Sequence, residues 1–216
     1  AMNQEMAATL IYGNSSTAPE EFTGLAARYS SLSASVANSQ NIVSGLGAGS
    51  DNTSIWLVCW GAQTVHGIFP KGSMAGIQHE DLGVETVETT NGIAGKRMRA
   101  YRDKWNWHCG VALRDWRYVV RGANIDVSNL VAESSNADIL KMMTKMVWRL
   151  PNRRVGKPVF YVNRTVGEML DIQAQAAVKA GGQLGYGEVD GREFLKFRGI
   201  PIRIVDSILE TEAAVS

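Results

Sequence analysis

Two cysteines, Cys59 and Cys109, are the whole thiol content of 216 residues, and they stand in different segments without a CxxC spacing. That excludes a disulfide framework and a multi-thiolate zinc site, and it suits free, packed thiols in a reducing compartment. Only three histidines occur, His66, His79 and His108, with no i,i+4 spacing and no accompanying acidic pair, so no metal site is assigned. No apolar run reaches the roughly 20 residues of a membrane-spanning helix, and no signal-peptide pattern opens the chain. The formal net charge of +1 excludes a strongly cationic nucleic-acid binder. What is present is ordinary globular composition, 45% hydrophobic and 20% charged, enough for one large domain or two tightly joined ones.

The residues that invite a catalytic reading do not assemble into one. His108 adjoins Cys109, but neighbouring residues on a strand point to opposite faces and cannot form a nucleophile–base pair. Cys59 with a distant histidine leaves a small cytosolic enzyme or ligand-binding module as an alternative, against the simpler reading of a packed thiol. Gly45-Leu46-Gly47-Ala48-Gly49-Ser50 lacks the final glycine of a dinucleotide loop and the lysine of a phosphate loop. Three Asn-x-Ser/Thr triplets start at Asn14, Asn52 and Asn163, and Asn163 is better read as a helix cap. The chain is therefore expected to be no enzyme, without cofactor or metal.

The opening Ala1-Met2-Asn3-Gln4-Glu5, with Met2, Met6 and Leu10 at helical spacing, predicts the last turns of a helix that starts earlier. Residues 12–54 are rich in Gly, Ser, Asn and Thr. Order is expected for 12–29, and either disorder or order imposed by a neighbouring molecule for 30–54. The run Ile55 to Trp60 predicts a strand covered on both faces, with 64–69 returning as its hairpin partner. Trp105, Trp107, Cys109, Val111 and Leu113 alternate and predict one half-buried strand with its tryptophans in the sheet core. A helix is predicted over 137–150, capped by Ser135 or Asn136 and closed by Pro151. A strand over 158–162 then leads through Asn163 into a helix stopping at Gly181-Gly182. A hairpin follows about Asp190-Gly191, and last comes Ile200 to Ile204, with three isoleucines on one face and Pro201 at an edge or bulge. The fold class is α+β, mostly antiparallel sheet with flanking helices.

Charge is unevenly spread. Residues 1–54 and 55–95 each carry net −3, whereas 96–121 hold eight basic groups against Asp103 and Asp115, net +6, and the remainder is near neutral. A solvated sheet face is one reading. The other is a subunit contact in which this basic strand pair meets an acidic region of the next copy, with Arg114, Arg117 and Arg121 as candidate contacts. Tryptophan often anchors interfaces, and Trp116 and Trp148 are the candidates for exposed contacts.

Two stretches carry a family resemblance. Leu10-Ile11-Tyr12-Gly13-Asn14, followed by Pro19, Phe22, Gly24 and Leu25, is similar to the exit from the long spine helix of tailed-bacteriophage major capsid proteins. Lys157 to Thr165, then Phe197-Arg198-Gly199-Ile200-Pro201-Ile202 to Asp206, resembles the closing part of the same coat fold, which herpesvirus shells and encapsulins share. Trp56 to Gly61 and Trp116 to Arg121 resemble the short-tailed-phage branch. The resemblance implies an axial domain plus part of a peripheral domain. Residues 1–54 would be the spine-helix end and loop, 55–206 the axial sheet and helices, and 207–216 a C-terminal tail. It implies a structural subunit that self-assembles into an icosahedral virion head, built in the host cytoplasm. Its partners would be many copies of itself as pentamers and hexamers, a decoration or scaffolding protein, and packaged DNA through nonspecific contacts, with no membrane. An encapsulin-like cargo shell is an alternative. The family also has an N-terminal arm and an extended two-stranded loop upstream, neither of which is found in these residues, and no residue matches the cross-linking chemistry of some relatives.

Overall fold

The computed structural model describes residues 2–72, 74, 76–88, 97–133, 138–178, 184–189 and 192–216, with the side chains of 174–194 left aside. The predicted caps Ser135 and Asn136, the helix stop at Gly181-Gly182 and the turn at Asp190-Gly191 lie outside the described residues. Residues 1–66 and 111–216 form one compact unit, and 67–110 form another.

In the larger unit, the apolar run predicted as a doubly covered strand becomes β2 (Asn52–Trp60), buried from Asn52 to Cys59. Its period-2 alternation feeds two separate cores. Ile55, Leu57 and Cys59 point to one side, and Trp56 and Val58 to the other. β2 pairs antiparallel with β7 (Val119–Asp126) and with β8 (Lys157–Val162). The sheet path continues on both sides in the order β1-β7-β2-β8-β11-β10-β9, where β1 is Ile42–Ser44, β9 Leu184–Val189, β10 Arg192–Phe197 and β11 Ile200–Ile204. β1 and β11 run parallel to β7 and β8, respectively. The short strand β3 (Val65–Ile68) meets β2 only at Trp60–Val65 and runs parallel to it, so the predicted hairpin does not form. The carbonyl of Val65 instead accepts the Gly61 N–H, and the Thr64 hydroxyl caps the Cys59 carbonyl, which turns the chain away.

One face of the sheet is covered by α3 (Val127–Val131), α4 (Ile139–Arg149) and α5 (Arg164–Val178). The predicted stripe on α4 is realised, with Ile139, Met142, Met143, Met146 and Val147 buried against the sheet. Each such side chain removed from water contributes about 1.5–3 kcal/mol. The first turn is capped by Asp138, whose carboxylate accepts the Lys141 N–H at 2.9 Å. Asn163 caps α5 as predicted, accepting the Thr165 N–H at 3.1 Å, and its amide also donates to the Ile208 carbonyl. Pro201 lies within an interior strand, a correction to the edge expectation. It is tolerated because the β8 ladder begins only at Ile202. Ile200 and Ile202 are buried, whereas Ile204 is exposed.

The opposite face is covered by the ends of the chain. α1 (Met2–Tyr12) and the short α2 (Leu25–Arg28) contribute Ile11, Leu25 and Tyr29, and the C-terminal segment contributes Ile208. Residues 30–54 follow an ordered path, with a 3-10 turn over 37–41 leading into β1. Asn124 adopts φ +58° and fixes the C-terminal segment through both amide atoms, which bond the Val215 carbonyl at 2.9 Å and N–H at 2.7 Å. The tyrosine–glycine–asparagine pattern has a packing cause. The Gly24 N–H donates to the Gly13 carbonyl at 2.7 Å, and a Cβ on Gly13 would lie 2.5 Å from the Phe22 and Thr9 carbonyl oxygens.

In the smaller unit, β4 (Gln78–Glu88) and β5 (Arg97–Asn106) pair antiparallel as a two-stranded ribbon with a register shift between Asp81 and Val84. The chain then leaves strand conformation at 107–109 before β6 (Gly110–Leu113). The single strand predicted over 105–113 is therefore two strands with a break. Trp105 is 50% exposed rather than buried in a sheet core. Two strands alone offer no second layer to cover an apolar face.

Gly13→Ala forces a methyl group against two backbone oxygens. It is expected to lower the unfolding free energy by about 2–3 kcal/mol in denaturant titration, whereas a Cβ on exposed Gly67 comes no closer than 4.0 Å to any residue beyond its chain neighbours and Ala there has no such clash.

Candidate subunit-contact site

The basic residues selected from sequence separate into three environments. The first is an enclosed network. Arg121 sits on the β7 face that carries the second core and is 4% exposed. Its guanidinium donates to the Glu212 carboxylate at 2.9 Å, the Tyr29 carbonyl at 2.8 Å and the Ser54 hydroxyl at 3.1 Å, and it lies 5.1 Å from the Trp56 ring centre. Glu212 also accepts short hydrogen bonds from the Tyr12 and Ser54 hydroxyls. Burial, followed by the Glu212 charge, pushes the Tyr12 phenol well above its ordinary range, so it stays a donor. Arg121, expected as a contact between copies, thus lies inside the larger unit with its charge paired to Glu212.

The second environment is the ribbon. Its basic strand is matched by its own acidic strand, since Arg102 pairs with Glu85 at 2.7 Å, Lys104 stands 4.0 Å from Glu80 and Arg97 is in register with Glu88. The acidic partner expected from the next copy is therefore supplied largely by the same hairpin. The ribbon also stacks His79 on Trp105 at 4.1 Å, and Tyr101 is 88% exposed.

The third is the corner between β6 and β7. Arg114 is exposed and held by its backbone, whose N–H donates to the Thr64 carbonyl at 2.9 Å. Asp115 caps the 3-10 turn 116–118 and forms a two-point ion pair with exposed Arg117, at 2.7 and 3.0 Å. That hydrogen bonding holds the Asp115 carboxyl below the usual carboxylate range. Half-buried Trp116 is anchored through its carbonyl, which accepts from the Tyr29 hydroxyl at 2.6 Å and from Asn41 at 3.3 Å. Arg114, Trp116 and Arg117 are thus brought together on a rigid turn. Trp148 stands elsewhere, 72% exposed on the outer face of α4.

Sequence reading missed Glu212, because nothing in its neighbourhood marks it as the partner of a residue 91 positions away. Among the described residues no group of three metal-ligating side chains occurs. Cys59 is buried, and burial pushes its thiol up, away from a reactive thiolate.

Comparison with known proteins adds the following. The family model described as "Major capsid protein GP7" matches residues 1–216. A chain of the near-atomic structure of bacteriophage Epsilon15, derived from cryo-EM and modelling, is similar in fold, with 30% identity and a TM-score of 0.65. That likeness covers 99% of this chain and 64% of the Epsilon15 chain, so this chain spans about two thirds of the length of the protein it resembles. No curated protein matches.

Two outcomes follow from the site geometry. Glu212→Gln leaves a buried guanidinium without its counter-charge and is expected to cost about 3–5 kcal/mol in equilibrium unfolding. Arg121→Met combined with Glu212→Leu is expected to recover much of that loss. Asp115, Asp126 and Asp206 all have carboxyls held below the ordinary value of 3.8 by hydrogen bonds. Their contribution is present above that value and is lost as pH falls through their lower folded-state values. Thermal unfolding between about pH 5 and 2 should show this fall, with a shallower slope in Asp115→Asn.

Proposed function

The chain belongs to the major capsid protein GP7 family, and from that premise we propose that it is the shell-building part of a coat subunit whose copies close an icosahedral phage head around the genome. The observation that carries this reading is the family match along the whole chain, supported by the Epsilon15 likeness in fold. The subunit acts by repeated contacts with other copies in pentamers and hexamers, without catalysis. A closed shell forms reliably when each contact is specific and individually modest, so that misplaced copies can leave. In this reading the larger unit is the axial domain with part of the peripheral domain, and residues 1–54 hold the end of the spine helix. A decoration or scaffolding protein is a further partner.

The corner at 114–117 is the proposed contact between copies. Two properties support it: a flat aromatic beside two exposed guanidinium groups, and a backbone fixed by hydrogen bonds on both sides. A preorganised turn loses little entropy on docking. The ribbon's uncovered aromatic side chains offer a second contact area.

Arg114→Glu with Trp116→Ala is expected to abolish closed particles in negative-stain microscopy of the full-length protein, while circular dichroism and the unfolding midpoint stay close to wild type. Normal particles from that variant would remove the corner from the assembly interface.

A further inference from the structure

Near-neutrality of the C-terminal half conceals one long interval without an acid. Between Asp138 and Glu168 the sequence contains no Asp or Glu, yet it holds Lys141, Lys145, Arg149, Arg153, Arg154 and Lys157, and then Arg164. The fold leaves Lys141, Lys145, Arg153, Arg154 and Lys157 exposed, and Trp148, Arg153 and Arg154 line one open cavity at the end of α4. On α4, Lys141, Lys145 and Trp148 follow i, i+4, i+7 spacing, opposite the buried Met142, Met143, Met146 and Val147. The turn after α4 is tightened by the Asn152 side chain, which accepts the Arg154 N–H at 2.9 Å, and it leaves Arg153 and Arg154 exposed. Among the described residues, ion pairs include Arg164, with Asp206, but none of Lys141, Lys145, Arg153, Arg154 or Lys157. Arg149 is spent on backbone, donating to the Gln40 and Ile42 carbonyls, which leaves its charge uncancelled and locks the end of α4 in place.

Several other cations of the described residues have acids beside them: Arg102 has Glu85 and Lys104 has Glu80 across the ribbon, Arg121 has Glu212, and Arg117 has Asp115. A surface of unpaired lysine and arginine surrounding a 72% exposed tryptophan matches the two elements of nucleic-acid binding, phosphate neutralisation and a flat apolar platform. We infer that the outer face of α4 and the turn at 151–157 form a sequence-independent DNA-binding surface, with Lys145, Arg153, Arg154 and Lys157 on phosphates and Trp148 against the sugars of the backbone. The inference rests on the capsid reading for its biological setting, where the enclosed polyanion is the genome. It also moves Trp148 from a contact between copies to a contact with DNA. Because the cations carry no base-reading partners at fixed geometry, binding is salt-dependent and indifferent to sequence.

The test is fluorescence anisotropy of the purified protein with a labelled DNA duplex of about 30 base pairs across a salt series, alongside particle formation by microscopy. The variant Lys145→Gln/Arg153→Gln/Arg154→Gln/Lys157→Gln should bind at least about tenfold more weakly at low salt, with the slope of log affinity against log salt reduced by about 3. Trp148→Ala should weaken binding several-fold and leave that slope unchanged, since it removes no charge. Both variants should still form particles. Unchanged affinity and slope in the quadruple variant overturn the inference, as does loss of particles with DNA binding intact, which would make the surface a subunit contact. If the wild-type protein forms no particles yet loses DNA affinity in the quadruple variant, the capsid reading fails and the DNA-binding surface stands.

Discussion

A guanidinium enclosed by protein demands a counter-charge and a partner for each of its N–H groups, and meeting that demand at Arg121 organises the larger unit. The groups that meet it come from distant parts of the chain: Tyr29 from the segment after α2, Ser54 from β2, and Glu212 from the C-terminal segment, itself bonded by Tyr12 at the end of α1. Enclosing two charges costs several kcal/mol each in lost hydration, so the arrangement holds only when all these segments are in place together. The pair therefore acts less as a source of net stability than as a condition on the fold. Any packing of the chain ends that omits one segment leaves a buried charge unmatched. Such a condition favours one arrangement of the ends over near alternatives.

The helix-covered face works differently. Its core is made almost entirely of Leu, Ile, Val, Phe and Met, and α4 alone supplies three methionines. Methionine fills irregular space with little demand on geometry, as at Gly122, where a Cβ would meet the Met142 and Met146 sulfurs at 2.9 Å. One face of the sheet is thus fixed by polar partners and the other by apolar packing. The same strand, β2, serves both through its alternation.

The distribution of charge follows from this division. Cations on the ribbon, in the core and at the corner have acids beside them, so their fields are local and contribute little at a distance. The interval from 139 to 167 has none in sequence; Lys141 and Lys145 share a cavity lining with Asp126 and Asp138, while Arg153 and Arg154 have no ion pair among the described residues.

Much of the architecture was legible in the residues themselves. The continuous apolar run at Ile55 to Trp60 read as a strand covered on both faces, the stripe from Ile139 to Leu150 as an amphipathic helix, and Asn163 after a strand as a cap. The order of the motifs at 10–25 and 157–206 carried the family. These are local or periodic signals, and they survive folding because backbone geometry sets them. Tertiary structure alone decided the fate of the charges and of the 105–113 segment. Alternation at Trp105 and Trp107 predicted burial, but a strand is buried only if a second layer covers it, and the two-stranded ribbon has none. Arg121 resembled its basic neighbours until the fold placed Glu212 beside it. A pairing across 91 residues leaves no trace in spacing, because the chain between them is set by the sheet and not by the pair.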